Sequence, residues 1–105
     1  MRRFDVFHNE DARTRQRVPY FVVLQSDLLS GLNTVVVAPI GMAKVVEGKP
    51  ATTLMPVVVL DDTEFVVYLP ELAAVPARLM RKRVANLESS RDLMTRGLDL
   101  LFSGI

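Results

Sequence analysis

Apolar and polar positions along this chain fall into short runs with strand-like patterning, and a helical period appears only near the end. Phe4-Asp5-Val6-Phe7 reads as a short alternating strand. The stretch from Asn9 to Arg17 is charged and aperiodic, hence an exposed loop. Tyr20 to Gln25 (YFVVLQ) is a second strand, because aromatic and β-branched side chains pack well on a pleated surface. Ser30-Gly31-Leu32-Asn33 is turn chemistry. Thr34 to Pro39 (TVVVAP) is a further strand, which the proline is expected to end because it has no N–H to give a ladder. Lys44 to Pro50 reads as a mobile loop around Gly48. Leu54 to Leu60 and Glu64 to Leu69 are valine-rich runs on either side of Asp61-Asp62-Thr63, a hairpin signal. Pro56 marks an edge or a bulge early in the first of them. Ala73 to Pro76 is a short extended piece, since the residue before a proline avoids the helical region.

From about Ser90 the period changes. Leu93, Met94, Gly97, Leu98, Leu101 and Phe102 recur at three- and four-residue spacing, one face of a helix. Ser89 or Ser90 is placed to cap it, Asp92 suits its first turn, and Gly104 stands where helices often take a left-handed residue to stop. Burying Leu93, Leu98 and Leu101 would contribute about 1.5–3 kcal/mol per side chain. Five or so short strands and one C-terminal helix predict a mainly β fold. The sheet is expected to be mostly antiparallel and curled into a small barrel, with the helix packed across it.

Composition narrows the picture. A chain of 105 residues is expected to form one domain spanning residues 1–105. Half of it is apolar, 50% with no tryptophan, an excess that burial between two copies would accommodate; a homodimer is the expectation. The absence of cysteine excludes disulfides, thiolate zinc and thiol nucleophiles and fits a reducing cytoplasm. No apolar run follows Arg2-Arg3, so no signal peptide is expected. Every apolar run falls well short of the ~20 residues of a membrane helix. A net charge of +1 argues against a dedicated nucleic-acid binder.

Residues able to do chemistry are sparse. His8 is the single histidine and adjoins an exposed loop, which gives no imidazole-rich metal site. Asp61 and Asp62 are adjacent in a turn, where they solvate it rather than act as an acid/base pair. Ser26, Ser89, Ser90 and Ser103 lack the Gly-x-Ser-x-Gly setting of a nucleophile elbow. The glycines form no phosphate-cradling pattern. Neither a catalytic set nor a cofactor or metal site is expected. Two basic clusters remain: Arg13, Arg15 and Arg17 in the early loop, and Arg78, Arg81, Lys82 and Arg83 before the helix. Each suits phosphates or an acidic protein segment. No aromatic is interleaved with them for stacking on single-stranded nucleic acid.

Several segments, taken in order, are similar to one family. Tyr20 to Leu29 (YFVVLQSDLL) resembles the strand-then-QSD segment of CcdB toxins. Val36-Val37-Ala38-Pro39-Ile40, Leu54-Met55-Pro56-Val57-Val58 and Leu72-Ala73-Ala74-Val75-Pro76 match in order and spacing. Leu100 to Ile105 (LLFSGI) is close to the family's C-terminal Phe-Trp-Gly-Ile. The resemblance covers nearly the whole chain. It implies a homodimer with an SH3-like barrel and a C-terminal helix, which is not an enzyme. Such a toxin binds the A subunit of DNA gyrase and traps it on cut DNA. A cognate antitoxin neutralises it, and the complex of the two represses its own operon, so operator DNA is reached only through the antitoxin complex. Carried over position by position, the gyrase contacts fall on Ser26, Leu28, Leu29, Asp99, Ser103, Gly104 and Ile105. Ser103 stands where the best-known members carry a tryptophan, and Asp99 replaces an amide. Arg13, Arg15 and Arg17 are expected to hold the acidic antitoxin segment. The rival readings are a MazF-like endoribonuclease on the same barrel and a non-toxic relative that only binds antitoxin.

Overall fold

The computed structural model describes residues 1–42 and 52–104. Among the described residues seven strands and one α-helix follow in chain order: β1 (Asp5–His8), β2 (Tyr20–Val23), β3 (Thr34–Met42), β4 (Val57–Leu60), β5 (Thr63–Val67), β6 (Ala73–Pro76), β7 (Arg83–Asn86) and α1 (Arg91–Ser103). Every strand pairing is antiparallel. The sheet runs β4-β5-β3-β2-β1-β7, with β6 on β3 off that path, a curled half-barrel closed by the helix. The mainly β class with a C-terminal helix is therefore what the sequence pattern implied. Among the described residues no helix is long and apolar enough to cross a membrane.

Strand β3 organises the curl. On one side it pairs with β2 through Val37–Ile40. On the other its first half pairs with β6 and its last three residues with β5. Pro39 sits at the changeover. Its carbonyl accepts from the Tyr68 amide at 2.9 Å, so the missing N–H faces the gap between β6 and β5 and breaks no ladder bond. That is why the strand continues through Pro39 to Met42 rather than ending there, as the sequence reading expected.

Two cores result. Phe4, Val6, Val22, Ala38, Ile40, Phe65, Val67 and Leu69 meet Met94 of the helix on one face of the sheet, and Phe7, Val23, Val35, Val37 and Met80 pack on the other. Consecutive residues of β1 are buried because both of its faces are covered. The β4–β5 hairpin closes on Asp61 and Asp62, both with positive φ (51° and 62°). Leu60 pairs with Thr63, so the loop has the two residues of a type I′ turn.

Three expectations need correction. Strand β7 starts at Arg83, the last residue of a basic cluster for which the sequence pattern suggests phosphates or an acidic segment as partner but no strand. It pairs with β1 through a bulge, and its apolar content, Val84 and Ala85, is too small to announce a strand. The helix buries Met94 and Gly97 and half-buries Leu98 and Leu101, whereas Leu93 is 43% and Phe102 70% exposed. At about 100° per residue, Leu93 and Phe102 lie a quarter-turn to either side of the packed stripe. The cap also moves. Ser90 makes no side-chain cap bond, because the chain enters α1 through a 3-10 turn (Glu88–Ser90) whose first amide donates to Asn86 Oδ1 at 2.8 Å. Gly104 does end the helix in the left-handed conformation (φ 71°), its N–H donating to the Leu100 carbonyl at 3.0 Å. The Lys44–Pro50 loop lies outside the described residues.

Candidate functional site

The carried-over positions fall on two elements. Ser26, Leu28 and Leu29 belong to a 3-10 turn (Asp27–Leu29) between β2 and β3 that contains no buried residue. Asp99, Ser103 and Gly104 lie on the exposed side of the last turns of α1, and Ile105 lies outside the described residues. Among the described residues no hydrogen bond or ion pair joins the two groups. Each is an exposed end of its own element.

Both elements present apolar side chains to solvent. Leu28 is 93% exposed and Leu29 49%, with Leu32 also exposed just after them. On the helix, Leu100 and Phe102 face outward beside Asp99 and Ser103. Scattered exposed leucines are ordinary, but a contiguous pair on a loop tip and an exposed ring at a helix end mark surface suited to a partner. Phe102 was placed on the packed face by its spacing. Its contribution to this surface is one that the helical pattern concealed, since it sits one residue from the edge of the stripe.

The 3-10 turn is held by polar contacts. Ser26 Oγ accepts from the Leu28 amide at 3.2 Å, and the Asp27 carboxylate accepts from the Arg3 amide. Gln25 donates to the Leu29 carbonyl and accepts from the Val36 amide, each at 3.2 Å.

The basic clusters, far apart in sequence, are neighbours in space. Asn9 is buried at the root of the early loop and shapes it, donating to Thr14 Oγ1 at 2.9 Å and to the Val18 carbonyl at 2.8 Å. Asp11 accepts from the Arg13 amide at 2.9 Å and from its guanidinium at 3.3 Å. These contacts, the backbone one first, hold the Asp11 carboxyl below the usual range, and the Asp11 side chain raises Arg13 in turn. Arg15 and Arg17 are exposed and form no ion pair among the described residues. Arg81 reaches across to Glu10 at 3.9 Å. Beside the root of the early loop lies an open groove of about 380 Å³, lined by Glu10, Asp11 and Thr14 together with Phe21, Val75, Leu79 and Met80. His8, half-buried, stacks on Tyr20 with ring centroids 5.3 Å apart. Asp61 and Asp62 occupy the exposed hairpin turn.

The chain is thus a small curled antiparallel sheet with one helix, and it carries exposed apolar side chains on a loop tip and at the helix end. The family model described as CcdB protein matches residues 3–104, and the chain belongs to the CcdB family. That is a family of gyrase-targeting toxins from toxin–antitoxin systems, poisons of their target rather than catalytic enzymes.

Proposed function

We propose that this protein is the toxin of a type II toxin–antitoxin module, one that acts in the cytoplasm by binding the A subunit of DNA gyrase and trapping the enzyme on cleaved DNA. Residues 1–105 act as one domain, and two copies form the working unit. The docking surface is Ser26, Leu28 and Leu29 on the loop with Asp99, Ser103, Gly104 and Ile105 at the helix end. The observation that carries this reading is the almost complete exposure of Leu28 on a loop fastened by hydrogen bonds, at a position where family resemblance puts a gyrase contact. Phe102, 70% exposed, supplies an aromatic surface beside Ser103, which lacks the family's ring.

Arg13, Arg15 and Arg17 hold an acidic segment of the cognate antitoxin, with the groove lined by Phe21, Val75, Leu79 and Met80 taking its apolar side chains. The complex of the two represses the operon, and operator DNA is contacted through the antitoxin.

The test is purified gyrase with supercoiled plasmid and ATP. The protein is expected to yield linear DNA with gyrase covalently attached after denaturant is added. Absence of linear product at chain concentrations well above that of gyrase would refute poisoning and leave a relative that only binds antitoxin.

A further inference from the structure

Leu28 stands almost wholly in solvent, so it adds nothing to the hydrophobic core, yet the backbone beneath it is tied at each end. None of the residues in the Asp27–Leu29 turn is buried, so packing does not hold its shape. Hydrogen bonds do. Gln25 uses both ends of its amide: Oε1 accepts from Val36 N on β3, and Nε2 donates to the Leu29 carbonyl at the far end of the turn, each at 3.2 Å. An amide offers a donor and an acceptor side by side on one planar head. Arg3 fastens the other end, its Nε donating to the Leu24 carbonyl at 2.9 Å and its amide donating to Asp27.

We infer that Gln25, assisted by Arg3 and Asp27, is a positioning residue that presets the Leu28–Leu29 turn for its partner. The inference rests on the gyrase reading above and says how that surface keeps its shape. Segments without buried contacts open at little cost, and ordering them at the moment of binding subtracts from affinity. The Gln25 bracket ties the turn to β3, a central strand, and removes that cost in advance. Glutamate at this position would keep the acceptor for Val36 and lose the donor to Leu29, which separates the loop's fastening from the strand's.

The experiment measures affinity for the purified gyrase A subunit, together with amide hydrogen exchange of the free chain, for wild type, Gln25→Glu, Gln25→Ala, Leu28→Ala and the double variant Gln25→Glu/Leu28→Ala. Both Gln25 variants are expected to weaken binding about fivefold, the worth of one ordinary hydrogen bond. Exchange at Leu29, Ser30 and Leu32 in the free chain should quicken about fivefold in Gln25→Glu, the worth of one ordinary hydrogen bond, while Val37, Ala38 and Ile40 on β3 keep their protection. In the Leu28→Ala background the Gln25→Glu loss should shrink, because a bracket acts only through what it presents and Leu28 is the most exposed part of it. Equal Gln25→Glu losses with and without the Leu28 side chain, or unchanged exchange through the turn, would overturn the inference. If Leu28→Ala weakens binding and Gln25→Glu does not, the bracket fails and the gyrase surface stands. If Leu28→Ala itself leaves binding untouched, the gyrase reading of this loop falls, and the exchange data alone judge the bracket.

Discussion

Replacing Gly97 with alanine asks how tightly the helix is seated on the sheet. A Cβ built at Gly97 lies 2.3 Å from Leu69 Cδ1 and 2.6 Å from the Thr53 carbonyl oxygen, against 3.4–4 Å for ordinary contact. Leu69 is fully buried and has no solvent to swing into, and the Thr53 oxygen is backbone. The helix must therefore move off the 3-10 turn Leu69–Glu71 that it packs against, loosening Met94, which is also fully buried. Alanine favours an isolated helix by about 1 kcal/mol. Overpacking of a filled interior costs about 1–3 kcal/mol, and a backbone obstruction puts this site at or above the upper end. The clash wins by about 2 kcal/mol or more, and for a domain of this size that lowers the thermal midpoint by roughly 8–16 °C. Calorimetric or circular-dichroism melts at one fixed chain concentration measure it, since association would shift the midpoint with concentration. Arg96→Ala, next to it and exposed, is the control and should stay within about 0.5 kcal/mol. A Gly97→Ala chain as stable as wild type would show that the helix is not seated as described.

Four further outcomes follow from the geometry. Asp61→Asn with Asp62→Gly relieves two positive-φ aspartates in the hairpin turn and should stabilise the chain by about 1 kcal/mol, read by urea unfolding. Asn9→Ala removes two buried donors and should cost about 1–3 kcal/mol, with trypsin cutting at Arg13, Arg15 and Arg17 several-fold faster. The Asp11 carboxyl is held low by Arg13, so the bond between them should persist above the ordinary carboxylate range and be lost as pH falls below it. Arg13→Ala removes the guanidinium but keeps the backbone bond, the larger cause, so the Asp11 titration, followed by carboxyl NMR shifts, should rise only part of the way toward that range. Ser103→Trp restores the family's ring and should tighten gyrase binding by roughly 30-fold, the worth of a ~2 kcal/mol hot spot.

The strands announced themselves where β-branched runs cover buried faces, as in Tyr20–Val23 and Val57–Leu60. β7 did not, because it is an edge strand with no buried residue, and the half-burial of Ala85 alone leaves little pattern. Pro39 misled for a local reason: whether a proline ends a strand depends on which neighbour its nitrogen faces, a fact of topology rather than of sequence. Phe102 misled because three- and four-residue spacing fixes a stripe only to within a quarter-turn. Of the candidate surface, the exposed Leu28–Leu29 pair came from resemblance alone, since leucine beside a turn reads equally well as core. The polar brackets of Gln25, Arg3 and Asn9 are long-range or loop-closing bonds that no periodicity encodes.

The central claim is that the loop tip and helix end form one surface for gyrase, and titration calorimetry of the purified gyrase A subunit with the wild-type chain and with Leu28→Asp and Phe102→Asp tests it most directly. Saturable binding by the wild type and a loss of at least about 30-fold in each variant, both folded by circular dichroism, is the expected result. No heat of binding from the wild type, or variants that bind as tightly as it does, would contradict the account.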